Sequence, residues 1–184
     1  MRAPLGHFER AAPAVDRLEH LPAPVAAALR QWSAPTPVER VVHVDTDPDR
    51  ADTAAFVETY GAELLETSAN CVVVAAKQGG QRTLAATLVG SARKVDVNGV
   101  VRRELGARKA SFAPMDLAVD ETGMEYGGIT PLGLPASWPL LVEPALVELP
   151  WVLVGSGARR GKLILPGEAL AHLPGARLVE GLGR

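Results

Sequence analysis

Aromatic residues are scarce in this 184-residue chain, at 4%, and cysteine occurs once, at Cys71. A lone cysteine excludes an internal disulfide and any cysteine-rich zinc site. With few rings and 47% apolar residues, the core must be built from Val, Leu and Ala. No apolar run reaches the ~18 residues that would suggest a membrane span. The opening "MRAPLGHFERAAP" has no apolar segment of the secretory kind. The expectation is a cytoplasmic protein with no membrane partner. His7, His20, His43 and His172 are scattered along the chain, each expected as a surface or packing residue. No metal or cofactor is expected.

What is present is a chain long enough for one domain with a sizeable core. Residues 1–38, rich in Ala and Pro, read as an N-terminal helical arm, and residues 39–184 as the main domain. The net charge of −2 hides an asymmetry: residues 69–113 carry eight basic and two acidic groups, while residues 1–68 carry six and eleven. A basic middle third suits local contact with a polyanion, or equally a solvated surface. A general nucleic-acid binder is basic overall, and this chain is not.

Hydrophobic periodicity predicts a helix at 23–32, a half-buried strand at 40–47 and a helix at 51–60 with Ala54, Ala55 and Val57 inward. "CVVVAAK" and "RTLAATLVG" are apolar runs separated by "QGGQ", the signature of a hairpin. Runs apolar on both faces imply a sheet covered by helices. "NGVVRREL" reads as helical and "RKASFAP" as extended. "PMDLAVDETG" is a marked helix with Gly123 as its C-terminal cap, and Met115, Ala118, Val119 and Thr122 form the expected buried stripe. "LLVE", "WVLVGSG" and "KLILPG" read as strands, "GEALAHL" as a short helix. Strands outnumber helices without strict βαβ alternation. The expected class is α+β: a curved, mixed, mostly antiparallel, barrel-like sheet with flanking helices.

Between two apolar stretches lies "GMEYGGITPLGLP", residues 123–135. Gly127 and Gly128 can adopt backbone angles closed to other residues and let their N–H groups approach a ligand. Pro131 biases Thr130 toward extended geometry. Such a loop is a rack of amide donors suited to a carbonyl oxygen or carboxylate, or else a tight connection between helix and strand. "GSGARRGK", residues 155–162, is a second glycine-rich loop. It lacks the P-loop spacing and reads as a hairpin turn. Two such loops at strand ends could line one pocket.

These residues, taken in order, resemble the YbaK/EbsC family, which includes the editing domain of bacterial prolyl-tRNA synthetases and its free-standing relatives. The resemblance covers about residues 50–180. Its most specific element is Gly123, Gly127, Gly128, Ile129, Thr130, Pro131 and Gly133, with Ser156, Gly157 and Gly161 matching the second loop. It implies a curved mixed sheet and hydrolysis of amino acids wrongly esterified to tRNA, without a cofactor. On this resemblance Gly127 and Gly128 are the expected oxyanion donors, with Asn70 positioning the ribose. Thr130, Ser156 and Gly157 shape the amino-acid pocket. Arg93, Lys94, Arg102, Arg103, Arg159 and Arg160 supply contacts to the tRNA acceptor end. Active relatives usually carry a lysine where Asn70 stands, and many read Gly-His-Pro where this chain has Gly133-Leu134-Pro135. The alternative from another class is a catalytically silent aminoacyl-tRNA or nucleotide-ester binding module that keeps the pocket. A homo-oligomer is compatible with either reading.

Overall fold

A computed structural model describes residues 1–50 and 53–184. Among the described residues nine strands divide between two sheets. One contains β1 (Ala11–Pro13), β2 (Val42–Asp45), β7 (Val152–Gly155) and β8 (Gly161–Leu165), antiparallel in the order β1-β2-β8-β7. The other contains β3 (Ala69–Gln78), β4 (Gln81–Gly90), β5 (Lys109–Phe112), β6 (Leu140–Val142) and β9 (Ala176–Leu178). Its order is β5-β3-β4-β6-β9, with β4–β6 and β6–β9 parallel. A parallel bridge between Ser68 and Leu153 joins the sheets where β3 begins. The class is α+β with mixed, mostly antiparallel strands. The strands are shared by two sheets, and no closed barrel forms among the described residues.

The β3–β4 hairpin pairs continuously from Ala69↔Gly90 to Gln78↔Gln81. Gly79 and Gly80, both at positive φ (57° and 83°), make the two-residue turn whose twist matches the strands. Alternation along β4 sends Ala86 and Leu88 into the central core and Ala85 and Val89 into a second cluster. Burial on both faces explains the continuous apolar runs.

Among the described residues six α-helices surround the sheets: α1 (Ala23–Arg30), α2 (Thr53–Tyr60), α3 (Leu64–Thr67), α4 (Arg102–Glu104), α5 (Met115–Thr122) and α6 (Pro144–Val147). Residues 51 and 52 of the predicted 51–60 helix lie outside the described residues. Within α2 Phe56 is buried and Val57 packs beside it as expected, while Ala54 is exposed. The large ring takes the place that the small alanines were expected to fill. The stretch 97–101 is a π-turn leading into α4, started by the Asp96 carboxylate, which accepts from the Gly99 and Val100 N–H groups. Along α5, Ala118 and Thr122 are buried as expected, but Met115 is 57% exposed. Its first turn stands at the rim of a cavity, not over the core.

The N-terminal residues are integrated into this frame. β1 pairs with β2, and Val25, Ala26 and Leu29 of α1 join the core cluster with Leu146, Leu165 and Leu170. Pro22 and Val25 pack against Gly157, and the Pro24 backbone lies against Gly133. Residues 22–25 therefore brace both glycine-rich loops from behind.

Candidate active site

The two loops predicted from glycine content lie directly on one another. The N–H of Glu125 donates to the Gly157 carbonyl (2.8 Å), and the N–H of Gly157 donates to the Gly128 carbonyl (2.7 Å). The N–H of Arg159 donates to Glu125 Oε2 at 2.6 Å. Gly155 continues the contact, since a Cβ there would strike the carbonyl oxygens of Gly128 and Ile129. A reading in which the loops serve separate structural ends needs them apart, and they are together.

Residues 125–128 form a turn closed by Gly128 N–H donating to the Glu125 carbonyl at 2.9 Å. Gly127 occupies its third position at φ 83°, which glycine reaches without steric cost. This divides the two predicted amide donors. The Gly128 N–H is spent inside the chain, which corrects its expected role toward a ligand. Gly127 is exposed, and neither its N–H nor that of Ile129 meets a partner among the described residues.

Gly127 and Ile129 line a cavity of about 310 Å³ with Asn70, Cys71, Gly155 and Lys162. Val73, Ala113 and Ala118 supply apolar wall, and Phe112 and Tyr126 stand at its edge, 58% and 60% exposed. Each position follows from local structure. Asn70 is the second residue of β3, beside the bridge that joins the sheets. Gly155 ends β7, and Phe112 ends β5. Cys71 is not a nucleophile here: burial pushes its thiol pKa up to about 12, so the reactive thiolate is absent at neutral pH.

Other predicted residues hold the frame. Ser156 is fully buried, its hydroxyl within reach of the Ala158 (3.0 Å) and Gly161 (2.9 Å) carbonyls, between which its single proton is shared, fixing the hairpin instead of facing the cavity. Gly157, at φ 85°, is the contact point between the loops. Thr130 is fully buried, its hydroxyl without a partner among the described residues, and it is not part of the cavity wall. Arg93 pairs with the buried Glu143 and donates to the Gly183 carbonyl, so its charge is committed. Lys94 lines a neighbouring space of about 360 Å³ that shares Asn70, Val72 and Phe112 with the main cavity. Arg159 donates to the Pro48 carbonyl and Arg160 is exposed beside it. Arg102 and Arg103 sit on α4, outside the cavity walls around Asn70.

Lys162 is the cavity residue that pattern reading missed. It follows Gly161 at the start of β8 and pairs with Gly155 of β7. Alternation sends Leu163 and Leu165 into the central core and Ile164 into the Phe56–Leu64 cluster, so Lys162 shares the face of Ile164. A lysine at the mouth of an apolar strand was the one hint in the sequence; the glycine opposite it is set by strand register.

The fold has relatives among solved structures. A candidate trans-editing enzyme for prolyl tRNA synthetase is 19% identical, with a TM-score of 0.69 over 84% of this chain and 92% of its own. A scaffold protein from computational epitope grafting is 20% identical, with a TM-score of 0.68 over 88% and 95%. A hypothetical protein is 20% identical, with a TM-score of 0.61 over 74% and 89%. At these identities the likeness speaks to fold alone. No helix among the described residues is long and apolar enough to cross a membrane. In sequence, residues 47–173 match the aminoacyl-tRNA editing domain, a span covering most of the chain and both loops. The protein belongs to the aminoacyl-tRNA editing domain family.

Proposed function

We propose that the chain is a trans-editing deacylase that hydrolyses the ester linking a wrongly attached amino acid to tRNA. The observation that carries this reading is the cavity lined by Gly127, Ile129 and Asn70, in which the N–H groups of Gly127 and Ile129 have no partner among the described residues. An aminoacyl ester is already activated, so hydrolysis needs a positioned water and a receptor for the developing oxyanion. Water adds to the carbonyl carbon, the carbonyl oxygen takes the negative charge, and the bond to the ribose oxygen breaks. That oxygen leaves with a proton, giving free amino acid and tRNA. Backbone donors aimed at the oxyanion need no reorganisation, and one is worth about 3 kcal/mol. Holding ester and water together supplies a further part of the barrier reduction.

The rest of the site suits an acceptor end. Asn70 can hydrogen-bond the ribose, the Val73–Ala113–Ala118 wall suits a small apolar side chain, and exposed Phe112 or Tyr126 offers a face for the terminal base. Lys94, Arg159 and Arg160 would supply the contacts to acceptor-end phosphates. In this reading residues 1–38 act as a packing arm that holds both loops in register, and the chain works in the cytoplasm. The test is a panel of misacylated tRNAs, including Ala- and Cys-tRNA on the proline acceptor. Hydrolysis above buffer for at least one supports the proposal; folded protein inert across the panel refutes it. The uncharged Asn70 favours one rival, a silent binding module, which predicts binding of aminoacyl-adenosine analogues without turnover.

A further inference from the structure

Behind Asn70 and Gly155 a small chamber of about 60 Å³ adjoins the main cavity. Ser68, Asn70, Ser91 and Lys162 give it polar walls, and Phe56 gives it an apolar one. It has room for a few waters or one phosphate-sized group. Two of its groups lack partners among the described residues: the buried Ser68 and the half-buried Lys162. Ser68 is only 7% exposed, and its hydroxyl meets no partner among the described residues. The Lys162 ammonium has no carboxylate or hydrogen-bond acceptor among the described residues, only the Phe56 ring 5.7 Å away. Burial, with Arg159 adding to it, holds the Lys162 pKa below the ordinary lysine value.

A partly desolvated cation without a counter-charge is costly, as is a buried hydroxyl without a partner. Ser68, Asn70 and Lys162 can each donate hydrogen bonds, and no carboxylate among the described residues lines the chamber. Asn70 and Lys162 line the main cavity too, so a group held in the chamber is continuous with whatever occupies the site.

We propose that Lys162, Ser68 and Asn70 form a receptor for an anionic oxygen of the substrate, distinct from the amide donors of the glycine-rich loop. The inference rests on the deacylase reading and names the charge that reading lacks. Two oxygens have the required chemistry: the 5′-phosphate of the terminal nucleotide, bound in the ground state, and the oxyanion that forms at the ester carbonyl during attack.

The test uses the full chain and its Lys162→Met, Lys162→Arg and Ser68→Ala variants. The probes are the non-hydrolysable 3′-(alanylamino)-3′-deoxyadenosine, with and without a 5′-phosphate. Lys162→Met is expected to fold with an unchanged or raised Tm, because a half-buried charge with no counter-ion has been removed. If the oxygen is the phosphate, wild type binds the phosphorylated probe at least about tenfold more tightly than the other. Lys162→Met then abolishes that preference and Lys162→Arg restores part of it. If the oxygen is the oxyanion, both probes bind Lys162→Met as they bind wild type. In that case kcat falls at unchanged KM, and the wild-type rate above buffer declines once pH passes the Lys162 pKa. Ser68→Ala moves the same quantity in the same direction by less. A Lys162→Met variant with wild-type probe preference and wild-type kcat overturns the inference and leaves the lysine as packing on Phe56. Failure of the deacylase reading looks different: wild type binds the probes but turns over no charged tRNA. The phosphate preference and its loss in Lys162→Met then decide the receptor alone, and a wild type with neither preference nor turnover counts against it.

Discussion

Gly128→Ala tests the contact between the two loops, on which the site depends. A Cβ at 128 would lie 2.7 Å from the Ala158 carbonyl carbon and 2.9 Å from its oxygen. Relaxed carbon–carbon contact begins near ~3.5 Å, so one backbone must retreat by roughly 1 Å. The obstruction is main chain, which cannot swing aside as a flexible side chain would. Two backbone hydrogen bonds hold the loops together here, Glu125 to Gly157 and Gly157 to Gly128. Each contributes about 1 kcal/mol net, and overpacking of this kind costs about 1–3 kcal/mol. The expected destabilisation is about 2–4 kcal/mol, or roughly 10 °C in Tm. The same displacement moves the Gly127 N–H, and a 1 Å error in a reacting geometry costs on the order of 100-fold in rate. Urea unfolding and single-turnover deacylation on the folded fraction measure the two effects separately. Gly79→Ala is the control, in a turn at positive φ with nothing near its Cβ; it should lose about 1–2 kcal/mol without slowing deacylation. Wild-type stability and rate in Gly128→Ala would refute the argument.

Three further expectations follow from other parts of the molecule. Burial lowers the His43 pKa from 6.5 to about 4, with Arg17 and His20 adding to the shift and Asp45 and Glu19 opposing it. The unfolded chain takes up that proton near pH 6.5 and the folded chain only near 4. Stability present above pH 6.5 is therefore lost as pH falls through this window, by about 3 kcal/mol in all; urea titrations at stepped pH should show the loss in wild type and a flatter profile in His43→Leu. The Cys71 thiol, held neutral by burial, should resist iodoacetamide at pH 8 in the folded chain and react once urea unfolds it. Phe112→Ala and Tyr126→Ala remove exposed rings, so unfolding free energy should move by less than about 0.5 kcal/mol. If one of them stacks the terminal base, its loss costs about 1–3 kcal/mol of binding, read as a raised KM at unchanged kcat.

Much of this fold was legible because local chemistry and tertiary contacts agree. Gly79 and Gly80 marked the hairpin that became β3 and β4, and Gly123 capped α5 at φ 65°. The two loops were visible in glycine content, and Gly127 required its glycine for conformation. What stayed hidden depended on the other side of a contact. Gly128 and Gly127 look alike in sequence, yet a turn hydrogen bond consumes one N–H and leaves the other free. Ser156 reads as a pocket hydroxyl, but the carbonyls of its own hairpin satisfy it. Met115 fits the periodicity of a buried stripe and is exposed because the first turn of α5 overhangs the cavity. Lys162 was invisible as a site residue because its position opposite Gly155 is a matter of strand register. Division of the strands between two sheets depends on long-range pairings such as β2 with β8 and β4 with β6, which leave no sequence pattern.

The most direct measurement is amide NMR of the uniformly ¹⁵N-labelled chain, titrated with a tetrahedral phosphonate analogue of aminoacyl-adenosine. Gly127 and Ile129 N–H resonances should move downfield and gain protection from hydrogen exchange, while Gly128, already bonded to the Glu125 carbonyl, stays in place. An analogue that binds while leaving Gly127 and Ile129 unmoved would contradict the amide-based site.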